Sequence, residues 1–568
     1  MQLKIQQLTQ NFHIYPTKCY YQQSLRLGDN FKNTISGRSY LMKNALKINP
    51  KSVTKLLFLS FLLTNVNFKV VAQDNYLNHN EFAKLEKLTK QSSISELQNK
   101  MKSNQITATK LTKFYLQKID RENSKLNAII SINPKALDEA KRFDKERAAG
   151  KVRGLLHGIP IVVKDNIETI NMPTTAGSLA LKDNHTNRDA TLIKNLKQAG
   201  AIILAKSNLS EWANFRTERS SSGWSAIGGQ TRNPLDLNRS ACGSSSGSAA
   251  AVAANLAVAA VGTETDGSIT CPSSANGIVG IKPTVGLVSR FGIVPLAHSQ
   301  DTAGPMAKSV ADAAILLSAM QGKDKLDPAT LAQSFNFKDA YQTTRKSASL
   351  KGLRIGILES RVKPHEGVEK VYQSAIDKLK KAGVIMVPDL KVERYEEFGK
   401  DSYSVLLYEF KNDINQYLKS LPNKLNTLNL EKLIEFNQAN AEQEMLYFQQ
   451  EIFIKAQAKG LLTDKTYTEA LSRLQNATRK EGLDKLVKDN QLDIIISPTL
   501  GPAWSIDKIN GDQYTGGYSS YSAISGYPYL TLPMGKVHHL PIGLSVIGLA
   551  RQDGKIIDIA KAMEVIFK

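Results

Sequence analysis

"ACGSSSGSAAAVAANLAVAAVG", Ala241 to Gly262, sets three serines between two glycines and then runs into alanine and valine. A flexible linker would continue in Gly, Ser and Pro, whereas this run favours a helix and is apolar, so the linker reading fails. A serine-rich turn that opens a buried helix offers free backbone N–H groups and the positive end of the helix dipole, which suits an anion or a developing oxyanion. Neither GxxxxGK[ST] nor GxGxxG occurs here, so a nucleotide phosphate cradle has no support. Gly243, Ser245 and Gly247 do satisfy GxSxG, the strand-to-helix elbow that would make Ser245 a nucleophile. That elbow needs a strand just before the turn, and "TRNPLDLNRSAC" has loop composition. No local pattern singles out one of the eight histidines as a base for it.

Outward from this stretch, strand-like and helix-like segments alternate. "GIPIVVK" reads as a strand, Asp189 as the cap of a helix running to Lys197, and "GAIILAK" as a strand entered through Gly200. "LRIGIL", a helix from Glu366 to Lys381 and "VIMVPD" repeat the order, and "LDIIISP", "YLTLPMG" and "PIGLSVIG" supply further strands. Earlier, "SISELQNKMKSN" and "ATKLTKFYLQKID" carry apolar residues at helical spacing. The pattern predicts an α/β fold on a mixed or mostly parallel sheet, with a helical insertion at about residues 402–490. Residues 80–568 are expected to form a single domain, since no stretch has linker composition.

The 568 residues carry a formal charge of +22. Ten Lys or Arg against the single acid Asp29 lie in residues 1–72, and elsewhere no basic stripe interleaves with aromatics, so a nucleic-acid partner is not expected. Residues 1–72 read as a leader. A basic start at Met42, an apolar run from Leu56 to Leu63 and small residues Val70 and Ala72 in cleavage spacing make 42–72 an expected signal peptide, with translation starting at Met42. The apolar run is too short for a bilayer span, which takes about 20 residues, so no stable membrane span is expected in the mature chain and export is. Of three cysteines, Cys19 falls in the leader, and Cys242 and Cys271 are expected to be structural thiols packed beside the serine stretches. No zinc-type Cys/His spacing or HExxH occurs, so neither a metal nor a cofactor is expected.

Extended to Thr284, as "CGSSSGSAAAVAANLAVAAVGTETDGSITCPSSANGIVGIKPT", the opening stretch resembles the core motif of the amidase signature family. "GIPIVVKDNI" upstream, and "SRFGIVPLAHSQDTAGPMAKSVADAA", "GYPYLTLPMG" and "LPIGLSVIG" downstream, extend the resemblance over most of the chain beyond residue 90. "GTETDGS", "SNLSEWANFR", "LVSRFGI" and "SPTLGPAW" look most like the family's bacterial peptide amidases. The resemblance implies the amidase signature fold, with Lys164 as the base, Ser244 as the bridging serine after a cis Gly243–Ser244 bond, and Ser268 as the nucleophile. It also implies an oxyanion hole from the backbone of Thr265, Asp266, Gly267 and Ser268. Many family members carry Gly at the position of Asp266 and Arg at that of Thr270. These departures fit the peptide amidases and argue against a tRNA amidotransferase subunit.

The chemistry suits these residue types. A serine attacks an amide only if its proton is removed and the oxyanion is held. A lysine serves as base only when neutral, so its pKa must fall from ~10.4 toward ~7, as burial can achieve. Strand alternation turns Asp165 away from Lys164, so the two are not expected to pair. Ser245 and Ser246 are expected to support the turn. The reaction implied is hydrolysis of small or peptide carboxamides, C-terminal peptide amides foremost, to carboxylate and ammonia. A fatty-acyl amide hydrolase with the same triad and a non-catalytic amide-binding protein are the alternatives.

Overall fold

In the computed structural model, which describes residues 76–331 and 349–568 apart from 423, the alanine-rich run divides. Ser246–Ala253 is a helix and Ala259–Glu264 a strand, with Asn255 between them at φ +58°. The single helix-favouring run expected from composition is therefore two elements, because a left-handed Asn ends the helix. What selects alanine, serine and glycine here is close packing. A Cβ on Gly247 would lie 2.3 Å from the carbonyl oxygen of Ala128 and 2.5 Å from that of Asn208. One on Gly262 would meet Ser245 Oγ at 2.7 Å and Met306 Sδ at 2.8 Å.

The strand belongs to one mixed sheet of eleven strands among the described residues. In chain order these are β1 (Ile129–Ile132), β2 (Pro160–Lys164), β3 (Ile202–Ser207), β4 (Ala259–Glu264), β5 (Val279–Lys282), β6 (Thr302–Ala307), β7 (Arg354–Leu358), β8 (Ile385–Leu390), β9 (Ile494–Pro498), β10 (Tyr529–Val537) and β11 (Leu540–Ile547). Their spatial order is β1-β3-β2-β4-β6-β5-β10-β11-β9-β7-β8. The β3-β2-β4 and β9-β7-β8 groups are parallel, and antiparallel pairs join them. β2, β3, β4 and β11 are buried along their whole length, which explains their near-continuous apolar sequences. Helices cover both faces, and residues 73–568 form one compact unit. The α/β fold on a mixed sheet anticipated from the sequence is present. The leader at 1–72 lies outside the described residues.

The helix Glu366–Lys381 runs as expected, its start capped by the ring of His365. Asp189, by contrast, does not cap the next helix, which spans Thr191–Gln198 behind Ala190. Its carboxylate instead accepts the N–H of Ile170 at 2.9 Å and pairs with Lys197 at 2.8 Å, holding a neighbouring loop. The helical insertion leaves the sheet between β8 and β9, opening with the helix Phe398–Lys419 and closing with Asp484–Asn490. Its Leu407, Phe410 and Ile414 pack with Trp212, Phe215 and Leu296, so it closes over the loops that follow β3 and β5. Among the described residues no helix is long and apolar enough to cross a membrane.

Because backbone oxygens surround Gly247, relief requires main-chain movement. Gly247→Ala is expected to cost about 3 kcal/mol or more, as overpacking against rigid neighbours does. The check is a lower urea midpoint than that of Ala251→Gly, a propensity change in the same helix.

Candidate active site

Lys164 ends β2 with no exposed surface, and three oxygens surround its amine. Ser244 Oγ lies at 2.8 Å, Thr263 Oγ1 at 2.7 Å and the carbonyl oxygen of Thr263 at 3.4 Å. Loss of hydration pushes the amine down to about 7, opposed by the more distant carboxylates of Asp301 and Glu264. A neutral amine has two N–H groups and one lone pair. The two Thr263 oxygens accept the N–H groups, and the lone pair then faces the hydroxyl of Ser244.

The expectation that Asp165 turns away holds. Its carboxylate pairs with Lys206 at 3.0 Å and accepts from the hydroxyl and the N–H of Thr175. In the β2–β3 register Val163 lies opposite Lys206, so Lys206 and Lys164 project to opposite faces of the sheet.

Ser244 follows a cis peptide bond from Gly243, as the resemblance implied. A Cβ on Gly243 would fall 2.2 Å from Ser210 Oγ, so only glycine fits. Ser245 does not act as an elbow nucleophile. It is fully buried, donates to the carbonyl of Thr263 at 3.0 Å and accepts that residue's N–H at 3.2 Å, tying the serine turn to β4. The preceding loop does form a short ribbon, Arg232–Asn233 with Asp236–Ser240, but outside the main sheet. Ser246 donates to the carbonyl of Cys242 at 2.5 Å, and both serines thus brace the turn.

Ser244 and Ser268 line one cavity of about 450 Å³. The loop Thr265–Ser268 forms part of its wall, with Gly267 at φ +80° and the carbonyl of Ser268 accepting the N–H of Ser245 at 3.1 Å. Lys164 thus contacts Ser244, and Ser244 shares the cavity with Thr265, Asp266, Gly267 and Ser268.

Several supporting residues lie within the quoted motif stretches, yet the sequence assigned them no role. Asp301 accepts from Thr265 Oγ1 at 2.5 Å and from the N–H groups of Leu296 and Ala297, fixing the start of the loop. Buried Glu264 takes the N–H groups of Ile269 and Thr270 and the hydroxyl of Thr270, fixing its end. Asn166 donates to Thr263 Oγ1 at 3.0 Å and orients the lysine's acceptor.

One expectation is corrected. Cys242 and Cys271 are joined as a disulfide, not left as separate thiols. Their Cα atoms are 6.0 Å apart, a separation a bridge spans, and the bond staples the serine turn to the helix that follows Ser268.

A family model described as Amidase matches residues 110–557. The chain belongs to the amidase family. This amidase is 39% identical over 484 residues to a protein of Arabidopsis thaliana described as a probable amidase, covering 84% of this chain and 90% of that one. It is similar to the crystal structure of the native peptide amidase of Stenotrophomonas maltophilia, with TM-score 0.79 and 45% identity over 84% of this chain and 96% of the other. A peptide amidase in complex with the competitive inhibitor chymostatin matches with TM-score 0.80 and 45% identity, covering 84% of this chain and 97% of that one.

The buried amine makes a stability prediction. Holding Lys164 at about 7 rather than 10.5 costs the amidase roughly 5 kcal/mol below neutral pH. Between pH 7 and 10.5 the unfolded chain binds the extra proton, so the cost fades as pH rises. Lys164→Met is expected to abolish activity, and its stability relative to the parent is expected to be greatest at pH 6 and to decline toward pH 10. Urea unfolding across that range checks the slope.

Proposed function

We propose that this amidase hydrolyses the C-terminal carboxamide of peptides to the carboxylate and ammonia through a Ser268–cis-Ser244–Lys164 triad. The observation that carries the reading is the fully buried Lys164 amine, lowered to about 7 and 2.8 Å from the hydroxyl of a cis-linked serine. Ser268 Oγ attacks the amide carbon as its proton passes to Ser244, whose own proton goes to the Lys164 lone pair. Backbone N–H groups of the Thr265–Ser268 loop hold the oxyanion. On collapse the relay runs in reverse and delivers a proton to the leaving nitrogen, so ammonia departs and an acyl-Ser268 ester remains. Water, deprotonated by the same relay, releases the acid and restores Ser268. The peptide substrate is favoured by the 45% identity to a peptide amidase and by a cavity wall rich in hydroxyl and carboxylate groups around Ser268.

Export through a leader ending at Ala72 belongs to the same reading. The Cys242–Cys271 bridge supports it, since disulfides persist in oxidising compartments. Exported protein is expected to start just after Ala72 and to show no free thiol in denaturant without reductant; an N-terminus near Met1 counts against this.

Ammonia release from an N-acetylated dipeptide amide, measured beside a long-chain fatty amide, tests the reaction. Wild type is expected to release ammonia from the peptide, with kcat/KM rising with pH through about 7 as Lys164 loses its proton and then levelling. Ser268→Ala is expected to lower kcat at least about 10⁴-fold, as loss of a nucleophile does. Turnover of the fatty amide alone would reject the peptide reading.

A further inference from the structure

Resting on that reading, we propose that the Asp266 carboxylate recognises the nitrogen of the substrate carboxamide and excludes the carboxylate product. The backbone of Asp266 belongs to the loop that holds the oxyanion, two residues before Ser268, and its side chain lines the cavity beside Ser244 and Ser268. Although neighbours crowd it enough that burial raises its pKa, Asp266 remains exposed, and the cavity is where it meets solvent. Such a group can meet a ligand.

Three carboxylates line this cavity, and two are already committed. Glu218 pairs with Lys455 and accepts the hydroxyl of Tyr403 at 2.9 Å. Asp512 accepts from the hydroxyl and N–H of Ser222 and from Trp504 Nε1 at 2.9 Å. Asp266 accepts from Ser520 Oγ at 2.7 Å and from the hydroxyl of Ser519, and among the described residues no cation lies within ion-pair distance of it. Two hydroxyls leave about half of the lone pairs of a carboxylate unused.

A primary carboxamide and its carboxylate have nearly the same shape. They differ in that the amide nitrogen presents two N–H donors where the acid presents a second acceptor. With backbone N–H groups on the oxygen side, the amide must turn its nitrogen toward an acceptor, because a carboxylate beside the oxyanion would repel it. Asp266 supplies that acceptor for the amide. To the product acid it offers like charge and an unpaired acceptor, the kind of mismatch that discriminates strongly in an enclosed site.

The test uses the full enzyme with an N-acetylated dipeptide amide, the methyl ester of the same acid and the free acid as inhibitor. In Asp266→Asn, kcat/KM for the amide is expected to fall about ten- to a hundredfold, the range for losing a charged acceptor. Ester hydrolysis should change less than about threefold, and the free acid should inhibit about tenfold more tightly as the repulsion is lost. Asp266→Gly, which introduces the residue many relatives carry there, should shift the amide-to-ester ratio and acid inhibition in the same directions. If amide and ester rates fall together and acid inhibition is unchanged in both variants, Asp266 serves only the loop's structure and the proposal is overturned. A wild type that releases no ammonia from the peptide amide overturns the peptide reading, and this inference with it.

Discussion

Everything at this site depends on holding an amine without water and without a counter-ion. Lys164 is fully buried, and its nearest partners are neutral oxygens of Ser244 and Thr263. Neutral acceptors stabilise N–H groups without restoring the charge, so desolvation dominates and the amine stays basic enough to take a proton yet free enough to have a lone pair. A carboxylate in contact would undo this by favouring the ammonium. The acids nearest in effect, Asp301 and Glu264, are turned to backbone N–H groups and hydroxyls of the adjoining loop. The same two acids that act on the amine only from a distance therefore also hold the loop in shape, and Lys164 and the Thr265–Ser268 loop are coupled through them.

Holding a hydroxyl against that amine demands a backbone turn that few sequences accept. The cis Gly243–Ser244 bond sits between Cys242, itself at φ +54°, and a serine whose side chain is spent on β4. Gly243 leaves room for Ser210, Gly247 lets the helix lie against the backbone of Ala128 and Asn208, and Gly262 leaves room on β4 for the side chains of Ser245 and Met306. The serine-glycine composition is thus a packing requirement before it is a catalytic one. The Cys242–Cys271 bridge adds a covalent tie between the two serine-bearing segments, whose relative position a relay depends on.

The parts legible in sequence were those with local signatures. Strands came from short apolar runs bounded by glycine and proline, and the helix Glu366–Lys381 from its period. The side chains proposed as the triad came from the resemblance to the amidase family, and the orientation of Asp165 from strand alternation alone. What was not legible depends on contacts across the fold. The split of the alanine run turns on one left-handed Asn255. Asp189 looks like a helix cap, yet the helix begins one residue too late for it, behind Ala190, and Lys197 claims the carboxylate. The disulfide was missed because the sequence places two of its three cysteines beside the serine stretches with no measure of their separation in space. Thr263 and Asn166 lie in quoted motifs, but their roles are defined only by what the Lys164 side chain reaches.

Two buried lysines one strand apart show how the sheet assigns roles. Lys164 and Lys206 end adjacent parallel strands, are equally buried and are both stripped of water. Strand alternation puts Asp165 on the face of Lys206, where it forms an ion pair also braced by Thr175, while Thr174 accepts from the lysine at 2.9 Å. The charges of that pair cancel within the sheet, which lets a second cation be buried nearby only if it gives up its proton. Shifting β2 by one residue against its partners would exchange the faces, hand Asp165 to the serine side and leave Lys206 unpaired. Register therefore decides which lysine meets Ser244 and which meets Asp165, and because β2 is buried on both faces it is the Asp165–Lys206 pair that tells the two faces apart.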